Sequence, residues 1–123
     1  MITDLPTIQK TLQDALSTHT SQLQIRVQSE TNFEVAGTKI VMQGKKKVDG
    51  HYFASVIPKV KDIRLYFFPL YTHAVDFELS PDLQKFLKGK TCFHIKKLSE
   101  DLIEEINAMV AKGVNLYEKD GLI

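Results

Sequence analysis

Residues 61–69, Lys-Asp-Ile-Arg-Leu-Tyr-Phe-Phe-Pro, restrict the fold more than any other stretch of the chain. Ile63, Leu65 and Phe67 alternate with Arg64, Tyr66 and Phe68, and a side-chain period of two is that of a β-strand. Both sets are bulky, so the strand belongs inside a sheet, covered on at least one side and partly on both. Pro69 has no N–H to give to a ladder and closes the strand.

Partner strands are expected on its N-terminal side. Phe33 and Val35, then Ile40 and Met42, predict an extended segment interrupted at Gly37 by a bulge or tight turn. Residues 44–50 hold Lys45-Lys46-Lys47 between two glycines and read as a connection. Residues 51–60 predict the next strand, with Pro58 at its edge or end. Connections this short join antiparallel neighbours and not βαβ crossovers. Leu23, Ile25 and Val27 alternate with polar residues and predict a further short strand or a strand lead-in, with extension of a second helix as the alternative.

Helices are expected at both ends. Asp4 caps a helix with Pro6 in its first turn and Leu5, Ile8, Leu12 and Leu16 at helical spacing, ending near Thr18. Ser80-Pro81-Asp82 is a cap, a first-position proline and a first-turn acid. It opens a short helix with Leu83, Phe86 and Leu87 on its apolar side, stopped by Gly89. Residues 91–96 alternate as the last strand. Ser99 caps the last helix, with Leu102, Ile103, Ile106, Met109, Val110, Gly113 and Tyr117 as its buried stripe. The expectation is an α+β fold over residues 1–123. A single antiparallel sheet of about five strands packs against N- and C-terminal helices, with a short helix before the last strand.

The net charge of +1 supplies no global field toward nucleic acid or membrane. The longest apolar run, residues 65–71, is far below the ~20 residues that span a bilayer. One cysteine, Cys92, forms no internal disulfide, and no basic-then-apolar leader opens the chain. A cytoplasmic protein with no nucleic-acid partner, no membrane partner and no cofactor is expected.

Three features carry candidate chemistry. Cys92, His94 and Lys96 share one face of the last strand, while Phe93 and Ile95 face the core. If that strand lies beside the 63–68 strand, Arg64, Tyr66 and Phe68 join them. The combined face would suit a small organic anion, with aromatic walls for affinity and Arg64 with Lys96 for a carboxylate or phosphate. Nearby cations would lower the thiol pKa of Cys92. The second feature is acidic: Glu100, Asp101, Glu104 and Glu105 pair at i, i+4 and could offer oxygen ligands to a metal, although acids also belong at a helix N-terminus. The third is a basic corner, Lys85, Lys88, Lys90, Lys96 and Lys97, thirteen residues without an acid, suited to an anion or to the acidic patch of another copy.

The segments "SPDLQKFLKGKTCFHIKK", "GVNLYEKDGLI" and "KDIRLYFFPLY" resemble the bacterial YdhG-like family of domains of unknown function. The resemblance covers roughly residues 33–123 and is most specific in the last forty. Gln28 and Thr31 stand where many relatives carry an aromatic and a proline. The resemblance implies terminal helices packed on one antiparallel sheet, similar to the frataxin arrangement, and some members have been proposed as iron handlers. It supplies no catalytic residue. A non-catalytic binding or carrier domain ranks first, a homo-oligomeric interaction domain such as a homodimer second, and an enzyme or frataxin-like iron protein behind them.

Overall fold

The computed structural model describes residues 1–43 and 45–123 of the chain. In order, the elements are α1 (Leu5–Ser17), β1 (Gln24–Gln28), β2 (Phe33–Ala36), β3 (Ile40–Gln43), β4 (Lys46–Asp49), β5 (Tyr52–Pro58) and β6 (Ile63–Phe67). Then follow α2 (Pro69–Thr72), a 3-10 turn (Ala74–Asp76), α3 (Pro81–Gln84), β7 (Leu87–Lys88), β8 (Cys92–Ile95) and α4 (Glu100–Lys119). Six strands pair antiparallel in the order β1-β2-β5-β6-β8-β7, and β3 with β4 makes a separate two-stranded ribbon. The fold is α+β, as the sequence predicts, with helices at both ends.

β6 lies between β5 and β8, and its burial alternates along the strand: Ile63, Leu65 and Phe67 are at most 1% exposed, Arg64 and Tyr66 half-buried. The core joins those three to Phe33, Val35, Ala54, Val56, Phe93 and Ile95, and to the apolar stripes of α1 and α4. Both long helices therefore lie on one side of the sheet. Their starts are capped as expected, with Thr7 N–H donating to Asp4 at 3.1 Å and Leu102 N–H to Ser99 at 3.2 Å.

A bulge in β5 supplies an extra inward side chain. Val35 pairs with Ala54 but Ala36 pairs with Tyr52, so Phe53 has no partner across the ladder. Phe53 is fully buried and packs edge-on against Phe67 and Tyr117. Gly113 of α4 lies directly over these rings, where a Cβ would stand 2.7 Å from Phe67 Cζ. The helix backbone approaches the sheet this closely only because it has no side chain there.

Three expectations are corrected. The 44–50 connection contains a strand: Lys46–Asp49 is β4, and Val41↔Val48 and Met42↔Lys47 pair within the ribbon. Gly44, one bound of that connection, lies outside the described residues. The helix begun at Ser80 ends after Gln84, not at Gly89, and Leu87 pairs with Phe93 in β7, which raises the sheet to six strands. Gly89, at φ +71°, turns the chain between β7 and β8. Beyond Pro69 the chain coils into α2, with Pro69 at the tolerated first position.

Both chain ends are fastened. Ile2 and Leu98 exchange backbone hydrogen bonds of 2.7 and 2.9 Å. Gly121, at φ +74°, turns the chain back so that the Leu122 carbonyl accepts from Thr38 N–H at 3.0 Å, at the root of the ribbon. Among the described residues no helix is long and apolar enough to cross a membrane.

Candidate functional site

The sheet face turned away from α1 and α4 holds most of the predicted site. β6 and β8 are neighbours, with Arg64 directly opposite His94 and Tyr66 directly opposite Cys92. Directly opposed side chains on one face lie within about 5.5 Å at Cβ. Carried across the sheet, the pairings produce two ranks. One runs Glu34, Ser55, Tyr66, Cys92 and Lys88; the next runs Ile57, Arg64 and His94.

Asp62, which the sequence reading passed over, organises the second rank. It sits just before β6 with its side chain 9% exposed. Its Oδ1 accepts from Arg64 Nε at 3.3 Å, and its Oδ2 lies 3.7 Å from His94 Nδ1. Asp62 thus holds Arg64 by a hydrogen bond and lies close to His94, and the two nitrogen-bearing side chains stand side by side. The Arg64 and His94 side chains remain 32% and 24% exposed.

The first rank is less polar. The Tyr52 hydroxyl is 2.6 Å from Ser55 Oγ, and burial pushes its pKa up to about 12. Burial also raises the Tyr66 hydroxyl, with the Cys92 thiol beside it adding to the effect and Arg64 opposing it. Cys92 departs from expectation. It is 9% exposed and its pKa is raised, because desolvation outweighs the help of Tyr66 and Arg64. A thiol activated by neighbouring cations is therefore not what the site holds.

Phe68 lies just past the end of β6, at the residue before α2. Its ring stacks on Tyr71 at 5.6 Å and meets Tyr52 at the same distance, so it borders the face through Tyr52. Lys96 follows the end of β8 and is exposed beyond His94. The basic corner is distributed: Lys88 stands opposite Cys92, Lys90 lies over the Tyr71 ring at 5.4 Å, and Lys85 is 3.7 Å from Asp82. Tyr52, Ser55 and Asp62 were missed because their roles follow from strand register, which also brings Lys88 of the basic corner opposite Cys92. Only the aspartate two residues before Arg64, hence on the same face of an extended chain, was a local signal.

The acidic cluster does not converge. Glu105 accepts from Ser80 N–H at 2.8 Å and Ser80 Oγ at 2.5 Å, anchoring α3 to α4. Glu100, Asp101 and Glu104 are exposed at the start of α4. Among the described residues no three His, Cys, Asp or Glu side chains are grouped to hold a metal ion. Cavities of about 170 and 130 Å³ lie elsewhere, one beside Phe77 and Met109 and the other beside Phe86 and Leu102.

What the fold and face define is an α+β domain with its helices on one side of an antiparallel sheet and a mixed aromatic and polar surface on the other. Comparison of the chain with protein-family models, curated proteins and solved structures finds no match.

Proposed function

We propose that the helix-free face of the sheet is a binding surface for a small organic anion, and that the protein is a non-catalytic binding or carrier domain. The supporting observation is the Asp62 carboxylate, which accepts from Arg64 Nε and so holds the guanidinium beside His94 before any ligand arrives. Pre-positioned donors lose less freedom on binding, and an arginine fork matches the two oxygens of a carboxylate or phosphate. Tyr66 and Tyr52 supply the wall for an apolar body, and Lys88 and Lys96 add positive charge at the rim. No nucleophile activated by a base is needed for this role, and the raised pKa of Cys92 accords with a wall residue. Membership of the YdhG-like family belongs to the same proposal and rests on the sequence resemblance alone.

The test is thermal unfolding with benzoate, phosphate and phenyl phosphate at millimolar concentrations. At least one should raise the Tm of the native protein, as binding to the folded state alone requires. Arg64→Lys keeps the charge but loses the fork and should abolish the rise. Asp62→Asn should weaken it. A Tm indifferent to all three anions but rising with protein concentration would replace this reading with the homo-oligomeric one.

A further inference from the structure

The β3–β4 ribbon stands apart from the six-stranded sheet, and its exposed side chains follow an unusual pattern. Ile40 is 65% exposed and Met42 58%, although both occupy strand positions. The pairings Ile40↔Asp49 and Met42↔Lys47 place Ile40 and Met42 on one face with Lys47 and Asp49, while the half-buried Val41 and Val48 pair on the other, the face that also carries Lys46. Lys39, Lys45 and Lys46 are exposed around the ribbon, and Asp49, at its root opposite Ile40, is the one acid from residue 37 to residue 50. The ribbon is fixed at its root. Leu122 carbonyl accepts from Thr38 and Lys39 N–H at 3.0 and 3.4 Å, and Gln24 Nε2 donates to the carbonyls of Gly37 and Asp49 at 2.8 Å. A root bonded from two sides holds the apolar pair outward.

We propose that this ribbon docks the protein on an anionic lipid surface, with Ile40 and Met42 entering the interfacial layer and Lys39, Lys45, Lys46 and Lys47 lying against the headgroups. Lysines alone would accept any polyanion. The exposed apolar pair narrows the choice to a partner whose outer layer is anionic and whose next layer is apolar. Nucleic acid fits less well, since no aromatic ring lies between residues 38 and 49 to stack on a base. Attachment of this kind needs no spanning helix.

Vesicle co-sedimentation of the full chain tests it, with phosphatidylserine-containing vesicles, pure phosphatidylcholine vesicles and a single-stranded oligonucleotide as the three arms. Binding is expected to the anionic vesicles only, weakening as salt is raised. It should fall by about tenfold or more in Ile40→Ser/Met42→Ser and again in Lys45→Gln/Lys46→Gln/Lys47→Gln. No binding to anionic vesicles at low salt would overturn the proposal. So would equal binding to neutral vesicles, or oligonucleotide binding that survives Ile40→Ser/Met42→Ser. Self-association abolished by that same variant would assign the ribbon to a second copy instead. Should the apolar variant melt early, the lysine variant alone decides, since its three positions are exposed.

Discussion

At Gly113 a single added carbon would collide with two buried rings. Alanine at a helix interior normally gains about 1 kcal/mol over glycine. Here the new methyl would meet Phe67 Cζ at 2.7 Å and Phe53 at 3.1 Å, two rings locked edge to face. Overpacking of this kind costs about 1–3 kcal/mol, so Gly113→Ala should lower stability in urea unfolding. A gain would show that the rings retreat freely. Phe67→Ala, at a fully buried position, should cost about 3–5 kcal/mol in the same assay, whereas Lys46→Ala should cost almost nothing. The facing of Phe67 and Arg64 was legible because alternation within one strand is local. The state of Cys92 was not. A thiol's titration depends on how much water reaches it, which burial in the assembled sheet decides. Cys92 should accordingly alkylate more slowly than a free thiol at pH 8, and accelerate only above the ordinary thiol range. Fast labelling at neutral pH would contradict the packing seen here.

Among the elements, the C-terminal tail has a defined attachment. Leu122 N–H donates to Tyr117 carbonyl at 2.9 Å while its own carbonyl accepts from Thr38. A Cβ on Gly37 would come within 2.2 Å of that carbonyl oxygen, so the tail and the start of the ribbon need a glycine between them. Deleting residues 121–123 should lower the Tm and speed hydrogen exchange at Thr38 N–H above all. Unchanged exchange at Thr38 would mean that the tail does not hold the ribbon. The capped helices α1 and α4 were legible from Asp4 and Ser99, whose side chains act within three residues of themselves. β4 was hidden because three lysines beside a glycine carry the composition of a turn, and only pairing with β3 makes Lys46 and Lys47 part of a strand. β7 was hidden for a similar reason: Phe86 and Leu87 fit a helical stripe, but the ladder with β8 captures Leu87.

Over the whole molecule, four buried or half-buried acids of the neutral-when-protonated kind shift the same way. Burial raises Tyr52, Tyr66, Cys92 and Tyr117. Each holds its proton more tightly folded than unfolded, so between the two pKa values the native state binds more protons and stability falls as pH rises. For Tyr52 that window runs from 10.0 to about 12. Stability should therefore decline across pH 9–12, and Tyr52→Phe should flatten part of the fall in pH-dependent melts. A decline that starts below pH 8 would have another origin. The layout of helices on one side of a meander followed from the order of patterned segments. The Asp62, Arg64 and His94 arrangement did not, because it needs two strands thirty residues apart brought into register. The fastening of both ends has a mechanical consequence. A pulling force applied at the termini reaches first the two-bond clasp between Ile2 and Leu98 and the Leu122 clasp on Thr38, each loaded at a few backbone hydrogen bonds. Under tension the chain should pay out at its two ends, releasing the ribbon root and the lead-in to α4, well before the six-stranded sheet yields.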